Sequence, residues 1–270
     1  MNTQVRPLSL GEILDRTFQF YRKEFVLFVG ISAIPQAVAL VLRVGLKGLQ
    51  RSNSTGMALT AIVGVFVVLI ASLLATAFSQ AATSVAVSEM YLGRKTSIGQ
   101  AFESIRGRIG TMAGILVGLG VFYFIGFILL IIPGIYMMLI WALAIPAAAI
   151  EDLGFAECRD RSKTLTEGAK GRIFVIYVLV VTITYGVLIG MGMILGAVGI
   201  TTLGRGFQLS FVYQVAEEVI TFIGTTLVGP LGMIAFTIAY YDQRVRKEGF
   251  DIQYMMQASQ QAAAGSGANS

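Results

Sequence analysis

The sequence predicts an all-α integral membrane protein with six transmembrane helices and three amphipathic interfacial helices at the cytoplasmic surface. Three observations support this fold class. Hydrophobic residues make up 56 % of the chain and charged residues only 13 %, with a mean hydropathy of +0.77, whereas ordinary soluble domains carry about 25 % charged residues. Uncharged stretches are long enough to cross a bilayer, and basic residues collect on one side of them.

The longest uncharged stretch covers the 42 residues from Ile109 to Ile150. One helix of that length would measure about 63 Å at about 1.5 Å per residue, but a bilayer's hydrocarbon core is only about 30 Å thick. The stretch therefore predicts two membrane segments, 110–132 and 135–150, with a tight turn at Pro133-Gly134. The second segment is short, which leaves three arrangements open: a tilted span, a partly re-entrant segment, or a span extended by Glu151.

Four further membrane segments are predicted from apolar runs, at about 25–46, 57–90, 173–199 and 219–241. Pro35, Pro146 and Pro230 fall inside predicted segments and indicate breaks, because proline lacks the N–H that continues a helix. Residues 1–256 are expected to form one membrane domain. The composition of 257–270 predicts a disordered tail.

Three amphipathic helices each precede a pair of membrane segments, which predicts a threefold internal repeat. Ser9 and Glu12 have the spacing of a capping box, Ser97 and Gln100 repeat it, and Asp152 is the expected cap of the third helix. The first helix divides into an apolar and a charged face, so the membrane interface is its favoured location. The third has a weaker apolar face and is expected to pack on the protein. The predicted bounds are 9–24, 97–108 and 153–167.

Lysine and arginine are distributed unevenly about these segments. Sixteen of the 20 basic residues fall on one predicted side of the membrane and four on the other, namely Arg43, Lys47, Arg51 and Arg205. Because cytoplasmic flanks carry the excess of basic residues, both termini are expected in the cytoplasm of a bacterial cell and the segments in its inner membrane. Anionic lipid head groups are the expected partners of these cations, and nucleic acid is not.

Several classes of chemistry are excluded by composition. The chain has no histidine and one cysteine, Cys158, so histidine triads, histidine-ligated metals and intramolecular disulfides are impossible. Phosphate loops, nucleophile elbows and zinc-ligand spacings are absent from the sequence. We therefore expect no catalytic residues, no metal site and no cofactor, and a protein that is not an enzyme.

Seven residues near the predicted cytoplasmic surface form the first candidate site. They either bind lipid head groups or clamp the last membrane segment to the amphipathic helices, and the two interpretations are evenly balanced. The residues are Glu151, Arg161, Ser162, Tyr241, Asp242, Arg244 and Arg246.

A row of small polar residues in the second segment forms the second candidate site. Such a row could line a path for a polar solute, but interhelical hydrogen bonding is favoured, because small polar residues serve close helix packing in lipid. Glycine rows such as Gly110, Gly114 and Gly118, or Gly186 and Gly190, also predict close helix approach. The polar row consists of Ser72, Thr76, Ser79, Gln80 and Thr83.

Several stretches resemble a known family. They are the run from Arg6 to Asp15, the Ile132-Pro133-Gly134-Ile135 sequence, the Arg161-Ser162 pair and the run from Tyr240 to Asp251. Together they are similar to the bacterial membrane domain of glycerophosphoryl diester phosphodiesterase, over about residues 6–256. Some members join this domain to a phosphodiesterase barrel that needs histidines. The resemblance therefore implies a membrane module without its enzyme.

The expected function is non-enzymatic binding or movement of lipid-like amphiphiles, or support of a partner that moves them. A small-solute transporter and a membrane scaffold or assembly factor are the alternatives. A membrane protein partner or a second copy of the chain would suit the scaffold role.

Overall fold

A computed structural model describes residues 6–50, 57–203 and 211–249. The described residues are helical, with no strand among them, and six helical segments within them are long and apolar enough to cross a membrane. The predicted all-α membrane class is confirmed. Arg51, Arg205 and the predicted tail lie outside the described residues. The helices are α1 Leu10–Lys23, α2 Phe25–Gln50, α3 Met57–Tyr91, α4 Ile98–Ile105, α5 Ile109–Leu129, α6 Ile131–Ile140, α7 Ala144–Glu151, α8 Phe155–Thr166, α9 Lys170–Leu203 and α10 Phe211–Glu248.

The turn between α5 and α6 lies three residues before its predicted position. Leu130 alone makes it, with an extended backbone (φ −172°, ψ 150°). Pro133 and Gly134 lie in the first turn of α6, where proline costs little because the first helical N–H groups have no partner in the helix. A Cβ on Gly134 would lie 2.7 Å from the Phe127 ring, so this glycine allows α5 and α6 to pack closely.

The predicted single segment 135–150 is two helices, because Trp141–Leu143 interrupts it. Pro146 lies in the first turn of α7, where it is tolerated for the same reason as Pro133. The interruption is stabilised by α8. The Ser162 hydroxyl donates to the Ile140 carbonyl (2.8 Å) and accepts from the Leu143 N–H (3.1 Å), while Thr166 also donates to Ile140 (3.2 Å). The third amphipathic helix thus packs on the protein, as expected.

The breaks predicted at Pro35 and Pro230 are wrong, because α2 and α10 continue through both prolines. A proline removes one backbone hydrogen bond, but in lipid no water competes for the remaining ones, so the helix persists. Close to Pro230, the Tyr21 hydroxyl donates to the Leu227 carbonyl at 2.6 Å. This bond also ties α1 to α10.

The last helix is longer than predicted, since α10 begins at Phe211 rather than at 219. The added turns carry Glu218, whose carboxylate lies 2.8 Å from the Lys47 Nζ and 3.6 Å from a nitrogen of Arg43, both on α2. Cations from a neighbouring helix therefore compensate the acid that the longer helix contains.

The internal repeat appears as three helices with the same local pattern. Ser9 with Glu12 and Ser97 with Gln100 form the predicted capping boxes. The expected Asp152 cap is wrong: Asp152 ends α7 with a positive φ of 58°, and Gly154 caps α8. The box needs an acceptor three residues after the cap, and Glu157 supplies it to the Gly154 N–H at 2.9 Å. The fourth and eighth residues after each cap are buried: Ile13 and Thr17, Ala101 and Ile105, Cys158 and Ser162.

The buried core lies at the end of the bundle where α1 and α8 pack on α10 and α4 packs on α2 and α3, here called the basic end. The charge distribution predicts that this end faces the cytoplasm. Tyr91, Tyr240 and Tyr241 are almost fully buried there. Towards the opposite end, residues such as Phe66 and Ile194 are mostly exposed, which is typical of a surface that faces lipid. The central helix is α10, which packs on α1, α2, α3 and α9.

Candidate functional site

The first feature of the basic end is a buried carboxylate, that of Asp242, which is 0 % exposed. It accepts hydrogen bonds from the Leu8 N–H (2.7 Å) and the Arg246 Nε (3.0 Å), and lies 3.2 Å from a nitrogen of Arg172. Both arginines also donate to the Leu8 carbonyl. We call these four residues the Asp242 cluster. It fastens the segment before α1 to the beginning of α9 and the end of α10.

A second ionic group, the Glu151 cluster, joins α7, α8 and α10. The Arg161 guanidinium donates to Glu151 at 2.8 Å and also pairs with Glu248. Arg244 lies 3.1 Å from Glu248, and the Tyr240 hydroxyl donates to Glu151. The bond to Glu248, with a smaller effect of Glu151, raises the pKa of Arg161 above its usual range. Since Arg161 and Arg244 each pair with carboxylates of this chain, the geometry favours the clamp over a head-group site.

Tyr241 ties the same end of α10 to α3. Its hydroxyl lies 2.6 Å from that of Ser88, and its ring stacks on Tyr91 with centroids 4.6 Å apart. The end of α10 thus brings six of the seven predicted site residues together. Ser162 has a separate place, at the interruption between α6 and α7.

The polar row on α3 contacts α2. Thr76 donates to the Ser72 carbonyl (2.8 Å) and accepts from Gln36 of α2 (3.5 Å), and Ser79 donates to the Ile31 carbonyl (3.5 Å). Thr83 is 1 % exposed. The Gln80 Oε1 is buried and has no hydrogen-bond partner among the described residues. These contacts match the packing interpretation of the row and not a water-filled path.

Among the predicted glycine rows, close approach within the chain occurs at Gly118, where a Cβ would lie 2.4 Å from the Phe155 ring. The other described members have open space where a Cβ would stand: Gly110, Gly114, Gly186, Gly190, Gly192 and Gly196. The expectation therefore holds for one glycine, which seats α8 on α5.

The sequence did not predict a groove of about 1110 Å³ at the basic end, between α1 and the connection from α3 to α4. Arg22 and Lys23 line one side, and Arg94 and Lys95 the other; we call it the basic groove. Its walls also carry two acids, Asp15 and Glu24, and the apolar side chains Phe18, Phe20, Leu27 and Met90. Both basic pairs are visible in the sequence, but they lie about 70 residues apart, so only the fold shows that they face one space.

The groove carries excess positive charge. Arg94 lies 3.4 Å from Glu89, but both side chains are partly exposed, and such pairs contribute little. Among the ion pairs of the described residues, none includes Arg22, Lys23 or Lys95. Ligand pockets usually measure about 300–1,000 Å³. The groove is therefore large enough for an anionic head group with part of its apolar chain.

Within the part of the chain that the structure describes, no group of three or more His, Cys, Asp or Glu side chains is placed to hold a metal ion. Cys158 is buried, and this burial raises the pKa of its thiol to about 11. Comparisons with protein-family models, with curated proteins and with solved structures found no match to this chain.

Proposed function

We propose that this multi-pass membrane protein binds anionic, phospholipid-like amphiphiles in the basic groove, at the cytoplasmic leaflet and without chemistry. The observation that carries the proposal is one groove, at the basic end of a membrane protein, that combines an apolar wall with four basic side chains. Three of the four, Arg22, Lys23 and Lys95, have no ion pair among the described residues. An anionic head group with an acyl chain has the same two-part character.

The charges favour an anion. Four basic side chains line the groove against two acidic ones, and each Lys or Arg near a membrane surface contributes about 1 kcal/mol of attraction to anionic lipid. The four cations lie on two separate elements, α1 and the α3–α4 connection. A bound phosphate would therefore reduce the repulsion between these elements.

The apolar wall favours an amphiphile over a free anion. Phe18 is 43 % exposed in the groove, and α2 begins beside it with Phe25 (42 %) and Val26 (77 %) exposed. Apolar surface that is covered by an acyl chain contributes about 25 cal/mol per Å². The groove therefore offers a head-group site that continues into a surface suited to the chain.

Lipid binding in the basic groove does not depend on two other predictions made from the sequence. The resemblance to the membrane domain of glycerophosphoryl diester phosphodiesterase, and the absence of enzyme activity, are not needed for head-group binding. The transporter alternative has less support, because Thr76 and Ser79 of the polar row on α3 bond to α2. A protein partner or a second copy would be compatible with lipid binding.

Native mass spectrometry of the detergent-solubilised protein tests the proposal, with phosphatidylglycerol as the anionic probe and phosphatidylcholine as the zwitterionic one. The groove variant is Arg22→Gln/Lys95→Gln. The matched control, Arg106→Gln/Lys163→Gln, removes two exposed cations of the basic end that do not line the groove. We expect the groove variant to bind phosphatidylglycerol about 30-fold more weakly, as two lost charges imply, and the control to change little.

The proposal fails if both variants lose the same affinity, which would indicate a general charge effect. It also fails if the unmodified protein binds the two lipids equally. Circular dichroism and monodispersity of both variants establish that neither result comes from misfolding.

A further inference from the structure

The turn between α5 and α6 is apolar, unlike the sequences that join α2 to α3 and α9 to α10. Leu129, Leu130, Ile131 and Ile132 are 66–79 % exposed, and residues 124–135 include no polar side chain. By sequence, the connections at 51–56 and 204–210 carry arginines and other polar residues. Four exposed aliphatic side chains at a turn are costly in water and favourable in hydrocarbon.

The contact between Lys170 and Tyr136 gives the distance from the basic end to this turn. Lys170 begins α9 two residues before Arg172, a member of the Asp242 cluster at the basic end. Its Nζ lies 3.0 Å from the Tyr136 hydroxyl and 4.6 Å from the ring centroid. Tyr136 is six residues from Leu130, or about 9 Å along α6 at 1.5 Å per residue. The distance from Lys170 to the turn is therefore about 9 Å along α6, to which the lengths of the Lys170 and Tyr136 side chains are added.

The contacts of Arg159 on α8 give a second, independent distance from the basic end to the turn. Its guanidinium carbon lies 5.2 Å from each of the ring centroids of Phe122, Trp141 and Phe155. Phe122 is seven residues before Leu129, about 10 Å along α5. Because α8 also carries the exposed charges of Glu157 and Asp160, it belongs in the head-group region or in water.

The two distances agree. If Lys170 and α8 lie at the interface of the basic end, the turn lies about 10–15 Å deep, near the centre of a hydrocarbon core of about 30 Å. Only α6, with 10 residues or about 15 Å, extends from α8 to the turn on that arm, because Ile140 at its end accepts from Ser162 and Thr166 of α8. Helix α5 has 21 residues, but Gly118 already lies against Phe155 of α8, so only the part from Gly118 to Leu129, about 17 Å, extends beyond α8. The helices α2, α3, α9 and α10 have 26 to 38 residues. The backbone groups of Leu130 itself are bonded, since its N–H donates to the Gly126 carbonyl (3.1 Å) and its carbonyl accepts from the Gly134 N–H (3.3 Å), which lowers the cost of placing this residue in hydrocarbon.

We infer that the α5–α6 hairpin is re-entrant: it enters the leaflet at the basic end, stops among acyl chains near the bilayer centre, and returns. Acyl chains are the occupants of its exposed apolar surface. The chain then crosses the membrane completely four times, through α2, α3, α9 and α10. Because a re-entrant hairpin returns to its own side, the predicted orientation of the two termini does not change.

Depth-dependent tryptophan quenching tests this inference in liposomes. The chain has one tryptophan, so Leu130→Trp in a Trp141→Phe background gives a single probe at the turn. Phospholipids brominated near the chain end should quench it more than phospholipids brominated near the glycerol. Leu49→Trp in the same background, an exposed position in the last turn of α2, should show the reverse. Equal or stronger quenching of the Leu130→Trp probe by glycerol-proximal bromine overturns the inference, since a full crossing places the turn at the far interface.

Cysteine accessibility gives a second readout with the tryptophan in place. In a Cys158→Ala background, a membrane-impermeant maleimide added to intact spheroplasts should label Leu49→Cys but neither Leu130→Cys nor Arg106→Cys. After lysis the maleimide should also label Arg106→Cys but still not Leu130→Cys. Denaturation in detergent should then make Leu130→Cys reactive. Labelling of Leu130→Cys in intact spheroplasts as fast as Leu49→Cys would show a full crossing.

Discussion

The Leu8 amide donates a hydrogen bond of 2.7 Å to the Asp242 carboxylate, across 234 residues of sequence. This bond holds the segment before α1 against the last turns of α10. Both ends of the described helical bundle therefore meet at the same end of the molecule, which is the arrangement that an even number of membrane crossings requires. The charge distribution leads separately to the same-side arrangement.

Loss of the Asp242 charge should strongly destabilise the protein. Asp242→Asn leaves Arg172 and Arg246 close together without their shared carboxylate, and removing one partner of a buried ionic group costs about 3–5 kcal/mol. Thermal unfolding in detergent should show a large fall in Tm. The control is Asp160→Asn, an exposed carboxylate on α8, which should leave Tm nearly unchanged. Similar Tm values for the two variants would contradict the role of the Asp242 cluster.

Arg161 should matter for stability and not for lipid affinity. Arg161→Gln removes the hydrogen bonds to Glu151 and Glu248, and lost bonds to charged groups cost about 2 kcal/mol. We expect a lower Tm, with phosphatidylglycerol affinity within about twofold of the unmodified protein. The opposite pattern, an unchanged Tm with weaker lipid binding, would indicate that Arg161 binds lipid head groups.

The first capping box should contribute to stability in a pH-dependent way. The Arg6 guanidinium, with the Ser9 backbone and hydroxyl, lowers the pKa of Glu12 from 4.5 to about 2. A carboxyl whose pKa is lower in the folded state stabilises the fold above its unfolded pKa, and this contribution is lost as the pH falls from about 4.5 to about 2. The Tm difference between the unmodified protein and Glu12→Gln should therefore be constant above pH 5 and shrink below it, as measured by thermal scans. A Tm difference between the two proteins that grows as the pH falls would contradict the lowered pKa of Glu12.

Ser162 should be needed at the interruption between α6 and α7. Ser162→Ala removes its bonds to the Ile140 carbonyl and the Leu143 N–H, and a buried unsatisfied backbone group costs about 1–3 kcal/mol. Ser104→Ala is the matched control, because that serine is exposed and donates to the carbonyls of its own helix. Hydrogen exchange should accelerate around residues 140–143 in the first variant only. Unchanged exchange there would show that the interruption does not depend on α8.

Local patterns were predictable from the sequence, and long-range ones were not. The boxes at Ser9 and Ser97 follow from residues three positions apart, and the apolar segments follow from bilayer thickness. Pro133-Gly134 was misplaced because the same pair suits a turn and the first turn of a helix, and packing against Phe127 decides between them. The cap at Gly154 was missed because the expected residue type, Asp152, lies two positions earlier.

In the candidate site, too, contacts between residues close in sequence were predictable and contacts between distant residues were not. The sequence analysis named Glu151 and Arg161, which lie ten residues apart, in one candidate site, and the structure pairs them. Glu248 as the second partner of Arg161 lies 87 residues away, and the two sides of the basic groove lie about 70 residues apart. The packing of α8 on α10 brings Arg161 to Glu248, and the packing of α1 and α3 beside α10 brings the two sides of the groove together.

Photo-crosslinking locates bound lipid directly, with an anionic phospholipid that carries a photoreactive group in its head group. Peptide mass spectrometry of the crosslinked protein, purified from liposomes, locates the adducts. We predict that they concentrate in 15–27 and 90–96, the segments that line the basic groove, and that excess phosphatidylglycerol competes them away. Adducts spread evenly over the basic residues of the bundle, or concentrated around Arg161 and Arg244, would contradict lipid binding in the basic groove.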